Sequence, residues 1–369
     1  MHAFPYSSAT FAYERADGKI GVHAGEYVAP DITLDADNIY STLKRIGDNT
    51  TNVDMAGDTK FRYPGVPNGV LIPATVNSRV TGAMMPGGVA QSRRWDMQVE
   101  FTTSSRYVAL YWVPPSATPR LLILVNGKWV SPSFTVTAAA GSTSNVLLTF
   151  PDNRSRTIKF IMAGGNNILN FQTEAAYPPV RSAASGKTLV TIGDSLTAGS
   201  GSPPTGASFL DTWAHGIAAM LGFDHCCNAS IGGTKWVASG TGDVAISHFG
   251  GDRLPLALNI SPEAIVFAGS RNDSAVDQAA LDAITAAVSA ALDVTPVTKR
   301  FVMGTFTTLP QNAAVQAGVL TEGVTFIDMM DGLQPEDIGA DTVHPTYQGQ
   351  INLRNRMAPR LFAAGCLPA

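Results

Sequence analysis

The stretch Thr188-Leu-Val-Thr-Ile-Gly-Asp-Ser-Leu196 decides how the second half of the chain folds. Its first five residues are aliphatic or β-branched and read as a buried strand, which Gly193-Asp194-Ser195 ends with turn-forming residues. The alternation continues downstream: 189–192, 223–229, 264–268, 301–306 and 324–327 read as buried strands, and 209–221, 276–292 and 347–364 as helices. Strands separated by helices imply an α/β domain, a parallel sheet covered on both faces, whose ligand site lies at the carboxyl ends of the strands. Ser195 follows the first strand, Gly233 lies beyond the second and Asn272 beyond the third, so all three converge on one rim. Asp341-Thr-Val-His344 reaches that rim from the loop before the last helix, where Pro345 suits the helix start because its missing N–H costs nothing in the first turn.

Ahead of this domain the pattern is different. Between residues 95 and 175, short β-favouring runs at 96–102, 107–113, 120–125, 128–130, 145–150 and 156–162 alternate with turn formers, as in a β-sandwich of jelly-roll type. Asn126-Gly127 marks a hairpin turn. Residues 1–90, rich in Gly, Pro, Asp and Thr, either extend the chain or complete the β domain, and carry one expected short helix at 39–46. The expected division is thus 1–90, a β domain at 91–176, a Pro-rich linker at 177–187 and the α/β domain at 188–369.

With 369 residues, two cores are expected, and 45% apolar residues suffice to bury both. A net charge of −4, from 25 basic and 29 acidic residues without long single-sign runs, argues against nucleic acid as a partner. No run approaches the roughly 18 apolar residues of a membrane span, and Met1-His-Ala-Phe-Pro5 lacks the regions of a signal peptide. The expectation is a soluble protein whose compartment the sequence leaves open, action outside the cell or on a virion included. Three cysteines, Cys226, Cys227 and Cys366, are too few for a disulfide framework and read as buried thiols, with pairing of Cys366 left open.

Four blocks in the second half together resemble the SGNH, or GDSL, hydrolase family: Gly193-Asp-Ser-Leu, Asn228-Ala-Ser-Ile-Gly-Gly233, Gly269-Ser-Arg-Asn-Asp273 and Asp341-Thr-Val-His344. The resemblance spans residue 187 to the C-terminus and departs in the third block, where Ser270 and Arg271 both stand between glycine and asparagine. It implies a serine esterase in which Ser195 is the nucleophile, His344 the general base and Asp341 the group that orients the histidine. The Ser195 N–H, Gly233 N–H and Asn272 amide would receive the oxyanion of the tetrahedral intermediate. No cofactor or metal is implied, because these protein groups supply every role. Asp194, Trp236 and Arg271 are candidate substrate contacts. Each also has a structural reading: a turn former, a core or surface tryptophan, and an ion-pair partner.

The β domain ahead of an SGNH domain also resembles the plan of family two carbohydrate esterases, which implies O-acetyl groups on a polysaccharide as substrate. A lipase, thioesterase or arylesterase on the same scaffold is the nearest alternative. A non-catalytic glycan-binding or tail-associated protein is the other. Few large apolar residues in 234–260 lean the reading towards short acyl groups.

Overall fold

The computed structural model describes residues 97–113, 120–129, 134–135, 144–162, 167–183, 186–199, 212–238, 249–251, 253–273, 275–296 and 299–368, with the short stretches 12–14, 20–22, 31–35, 44–46, 60–62, 72–73 and 80–81. The chain divides into two compact units, with Asp96–Ser185 in one and Gly186–Ala369 in the other.

Two antiparallel sheets make up most of the first unit. In one, Arg156–Met162 lies between Arg120–Val125 and Met97–Thr103; in the other, Tyr107–Val113 lies between Ser144–Thr149 and Asn167–Thr173. Strand alternation explains how they share a core. Val108, Leu110 and Trp112 from the second sheet join Val99, Phe101, Ile123 and Phe160 from the first in one buried cluster, while Tyr107, Ala109 and Tyr111 pack with Leu147 in a separate one. Asn126 and Gly127 both take positive φ (52° and 75°), as a two-residue hairpin demands, and Val125 pairs with Lys128 across them. The helix expected at 39–46 is not formed in its described part. Lys44–Ile46 is a strand whose backbone pairs with Phe171–Thr173, so ladder bonds replace helical ones, and residues 39–43 lie outside the described residues. Along the Pro-rich tract, Val180 exchanges two backbone bonds with Thr102, and Ser182 donates to Glu100 at 2.6 Å.

The second unit holds a five-stranded parallel sheet, β1 (Thr188–Gly193), β2 (His225–Asn228), β3 (Ala264–Ala268), β4 (Arg300–Met303) and β5 (Thr325–Ile327), in the order β2-β1-β3-β4-β5. Its helices are α1 (Ser195–Ala198), α2 (Trp213–Leu221), α3 (Arg253–Leu258), α4 (Gln278–Asp293), α5 (Gln311–Thr321) and α6 (Tyr347–Ala363). Leu189, Val266, Phe301 and Met303 face α2 and α6 through Trp213, Ile217, Leu353 and Leu361. The alternate residues Val190, Ile192, Ile265, Phe267 and Val302 are buried too, which is why these strands read as continuous apolar runs. On that face Phe267 packs against Trp236, Trp236 against Phe249, and neighbouring Gly250 against Ala291 of α4. The order in which strands are added reverses between β1 and β3, and such a switch point opens a crevice at the carboxyl ends of the strands.

Cys226, Cys227 and Cys366 are buried thiols, none of them in a disulfide. Burial pushes the Cys366 thiol up to about 12. Among the described residues, no helix is long and apolar enough to cross a membrane.

Candidate active site

Ser195 is the first residue of α1, directly beyond β1. Position N1 leaves its N–H without an intrahelical acceptor. The four-residue α1 is too short to stand alone, and its carbonyls are fastened from outside. Gly199, at φ 81°, donates its N–H to Ser195 O, Gln350 Nε2 donates to Leu196 O at 3.0 Å, and Asn228 Nδ2 donates to Thr197 O at 3.0 Å. Asn228 and Gln350 are both buried. The sequence showed Asn228 only as the start of a block and gave no sign of Gln350.

The last block arrives through a second set of turns. Ile338 bridges Pro345, with Gly339 N–H donating to His344 O (2.8 Å) and Thr346 N–H to Asp337 O (2.7 Å) on either side. Pro345 therefore precedes the helix rather than starting it; Thr346 caps α6 by accepting from Gly349 N–H at 3.0 Å. Asp341 Oδ1 accepts the N–H groups of Val343 (3.0 Å) and His344 (2.9 Å), which curls the loop on itself and holds Thr342 at φ 62°.

This curl points Asp341 Oδ2 at His344 Nδ1, 2.7 Å away, while His344 Nε2 stands 2.9 Å from Ser195 Oγ. The two backbone donors, joined by the imidazole, pull the Asp341 carboxyl down to about 2. An ionised carboxylate only accepts, so Nδ1 carries the hydrogen. In the neutral ring Nε2 is then left as the acceptor for the Ser195 hydroxyl.

Of the three expected oxyanion donors, Gly233 and Asn272 are exposed at the same end of the sheet as Ser195. Gly233 sits at φ 77°, where an L side chain is strained, and a Cβ there would face open space. Asn272 Nδ2 gives one hydrogen to Thr234 O at 2.9 Å, which fixes the amide beside the Gly233 loop and leaves its second hydrogen. Among the described residues, neither the Ser195 N–H nor the Gly233 N–H has a protein acceptor. In the third block Gly269 and Ser270 both have positive φ (141° and 126°). Ser270 is held there by donating to Asp273 Oδ2 at 2.9 Å. Asp273 also accepts from the N–H groups of Trp236 (3.1 Å) and Val237 (3.0 Å), so it ties the Asn272 loop to the Gly233 loop.

Two candidate substrate contacts are corrected by burial. Asp194 is fully buried and caps α1 through Leu196 N–H at 2.9 Å, so its carboxylate faces the interior. Trp236, 1% exposed, is a core residue between Phe249 and Phe267. Arg271 stays at the rim, with Nη1 3.5 Å from Thr307 Oγ1 and no carboxylate partner among the described residues.

Burial raises the Asp194 carboxyl from 3.8 to about 6, against the pull of the N–H groups of Leu196, Ser270 and Arg271 and of the Arg253 charge. In this acid raised by folding, the folded chain holds a proton that the unfolded chain has lost between pH 4 and 6. Its contribution to stability is therefore complete below pH 4 and falls by about 3 kcal/mol as pH rises to 6. We expect Asp194→Asn to remove that fall whatever constant offset the amide adds. Denaturant unfolding of both proteins at pH 4 and pH 7 reads the difference; parallel pH profiles would refute it.

Residues 191–350 match the family model for GDSL-like lipases and acylhydrolases. The C-terminal half is a GDSL-like lipase/acylhydrolase domain. No curated protein matches the chain. Among solved structures, the salicylyl-acyltransferase SsfX3 from a tetracycline biosynthetic pathway is similar at TM-score 0.61 and 15% identity, over 85% of this chain and 98% of that one. A family two carbohydrate esterase from Cellvibrio japonicus follows at 0.60 and 13%, over 90% and 98%. The acetyl xylan esterase Est2A from the rumen bacterium Butyrivibrio proteoclasticus gives 0.58 and 13%, over 83% and 96%. At such identities the likeness is one of fold, and it extends past the GDSL-like domain into the first unit.

Proposed function

We propose that the protein is a serine esterase that removes short acyl groups, acetyl above all, from a carbohydrate. The observation that carries this is the relay of Asp341 Oδ2, His344 and Ser195 Oγ, with both hydrogen bonds formed at 2.7 and 2.9 Å. Ser195 Oγ attacks the ester carbonyl carbon as its proton passes to His344 Nε2, and the oxyanion is received by the N–H groups of Ser195 and Gly233 and by the Asn272 amide. Collapse breaks the bond to the sugar oxygen, which leaves as the hydroxyl with the proton from His344. Water then attacks the acyl-serine, gives its proton to the same nitrogen, and the carboxylic acid departs as Ser195 recovers its hydrogen.

The carbohydrate assignment is supported by the fold shared with esterases named for such substrates, the first unit included. On this reading residues 91–176 are a jelly-roll-like sandwich joined through 177–187 to the esterase domain, and Arg271 at the rim contacts substrate. Acetate release from p-nitrophenyl acetate and from acetylated xylan, by wild type beside Ser195→Ala, tests the proposal. We expect release from both by wild type and from neither by the variant. Release that does not need Ser195 overturns the mechanism, and a preference for octanoyl or longer p-nitrophenyl esters overturns the acetyl assignment.

A further inference from the structure

We infer that Arg253, which lies outside every recognised block, is a positioning residue that sets the spacing of the oxyanion donors. The inference rests on the proposed esterase mechanism. Arg253 opens α3 and is fully buried. Its Nη1 donates to Gly193 O at 3.0 Å and Ala229 O at 2.9 Å, and its Nη2 to Thr234 Oγ1 at 2.9 Å. These three acceptors belong to the end of β1, the residue after β2, and the loop that follows β2. Two of them lie beside donors: Gly193 two residues before the Ser195 N–H, and Thr234 one residue after the Gly233 N–H, with Thr234 O also holding the Asn272 amide at 2.9 Å. Thr234 Oγ1 also bonds Ile231 O at 2.7 Å, and Ile231 N–H reaches the same Gly193 carbonyl at 3.1 Å, so one buried network joins both strand ends.

The chemistry calls for arginine. A buried cation is costly unless its hydrogens are engaged, and the network engages three of the five, on two carbonyls and a hydroxyl spread along a planar fork. The guanidinium also lies 5.3 Å from the Phe249 ring centre and lends its charge to buried Asp194, the residue before the nucleophile. A lysine ammonium is a single point and cannot span both strand ends and the Thr234 hydroxyl. Misplacing catalytic groups by about 1 Å costs on the order of 10²-fold in rate, so loss of the fork is expected to appear in kcat while substrate binding is spared.

The test compares wild type, Arg253→Lys, Thr234→Val and Thr234→Ser on p-nitrophenyl acetate. Rates are taken per active site, counted by complete reaction with a fluorophosphonate, so loss of folded protein does not enter. We expect kcat per site to fall about 10²-fold in Arg253→Lys and about 10-fold in Thr234→Val, with KM within about threefold of wild type. Thr234→Ser, which keeps the hydroxyl, is expected to stay within about threefold in kcat. A merely structural role predicts fewer titratable sites with unchanged kcat per site, and that result overturns the inference. Should Arg253→Lys not fold, Thr234→Val decides alone: unchanged kcat per site overturns it. A wild type without Ser195-dependent turnover brings down the esterase reading itself, and is seen before any Arg253 or Thr234 variant is made.

Discussion

Ser195→Ala is expected to lower kcat for ester hydrolysis by roughly 10⁴–10⁶-fold, His344→Ala by a similar factor, and the double variant by little more than either alone. Non-additivity follows from the proposed mechanism, in which His344 Nε2 acts only on the Ser195 oxygen 2.9 Å away, so that removing either group removes the function of both. Asp341→Asn is expected to cost less, about 10²–10⁴-fold. The Asn oxygen is still able to accept the Val343 and His344 N–H groups that shape the loop, but its NH₂ then faces His344 Nδ1. A donor there favours the tautomer with hydrogen on Nε2, which cannot take the serine proton. Because the Asp341 carboxyl is held down at about 2, it remains ionised at every working pH. Its own titration therefore contributes no pH dependence between pH 5 and pH 9, and the loss in Asp341→Asn is compared at a single pH near neutrality, because the substitution also removes a negative charge beside the base. Steady-state kinetics of the four variants at that pH check this; additive losses, or an Asp341→Asn loss as large as that of Ser195→Ala, would count against the roles assigned.

How much of this site the sequence disclosed depended on what each residue does. Strands of the parallel sheet were legible because burial on both faces leaves continuous apolar runs; 264–268 is β3 to the residue. Helix α5 was not, since Gln311–Thr321 is rich in Ala, Gln and Gly and shows no apolar stripe. In the first unit Asn167–Thr173 escaped because its Asn and Gln residues resemble a turn, yet it pairs along Tyr107–Val113. Ser195, Asp341 and His344, which the structure joins by two hydrogen bonds, were legible as a group because the proposed chemistry requires those residue types. The supporting groups were not, because hydrogen bonds from Gln350 to Leu196 O or from Arg253 to Gly193 O join residues distant in sequence and leave no local pattern. Asp194 and Trp236 each carried a functional and a structural reading, and the structure decides for the structural one. Polar or aromatic residues next to a reactive one invite a functional reading, while burial decides otherwise.

Gly193→Ala is expected to have a large structural effect at the site, and the reason lies in the sheet rather than in φ. Gly193 ends β1 and pairs in parallel register with Ala268 at the end of β3. A Cβ at 193 would stand 2.6 Å from the Ala268 carbonyl oxygen and 2.4 Å from Thr197 Oγ1. The Thr197 side chain is fully buried and has no room to withdraw, and the Ala268 carbonyl belongs to the strand backbone, so β1 and β3 must part at the point where the crevice opens. Overpacking of this kind costs about 1–3 kcal/mol, and backbone as the obstacle places this case at the upper end. The same displacement carries the Gly193 carbonyl, and Ser195 two residues on, away from His344, so activity per folded molecule should fall as well. Gly193→Ala combined with Thr197→Ala separates the two obstacles. If Thr197 were the whole obstacle, the pair would regain wild-type stability apart from the cost of Thr197→Ala alone, whereas the Ala268 carbonyl predicts that most of the loss remains. Denaturant unfolding of the three variants beside wild type measures this directly. A single variant that unfolds at the wild-type midpoint would show that β1 and β3 have slack here, and that glycine before Asp194-Ser195 is kept for some reason other than close approach.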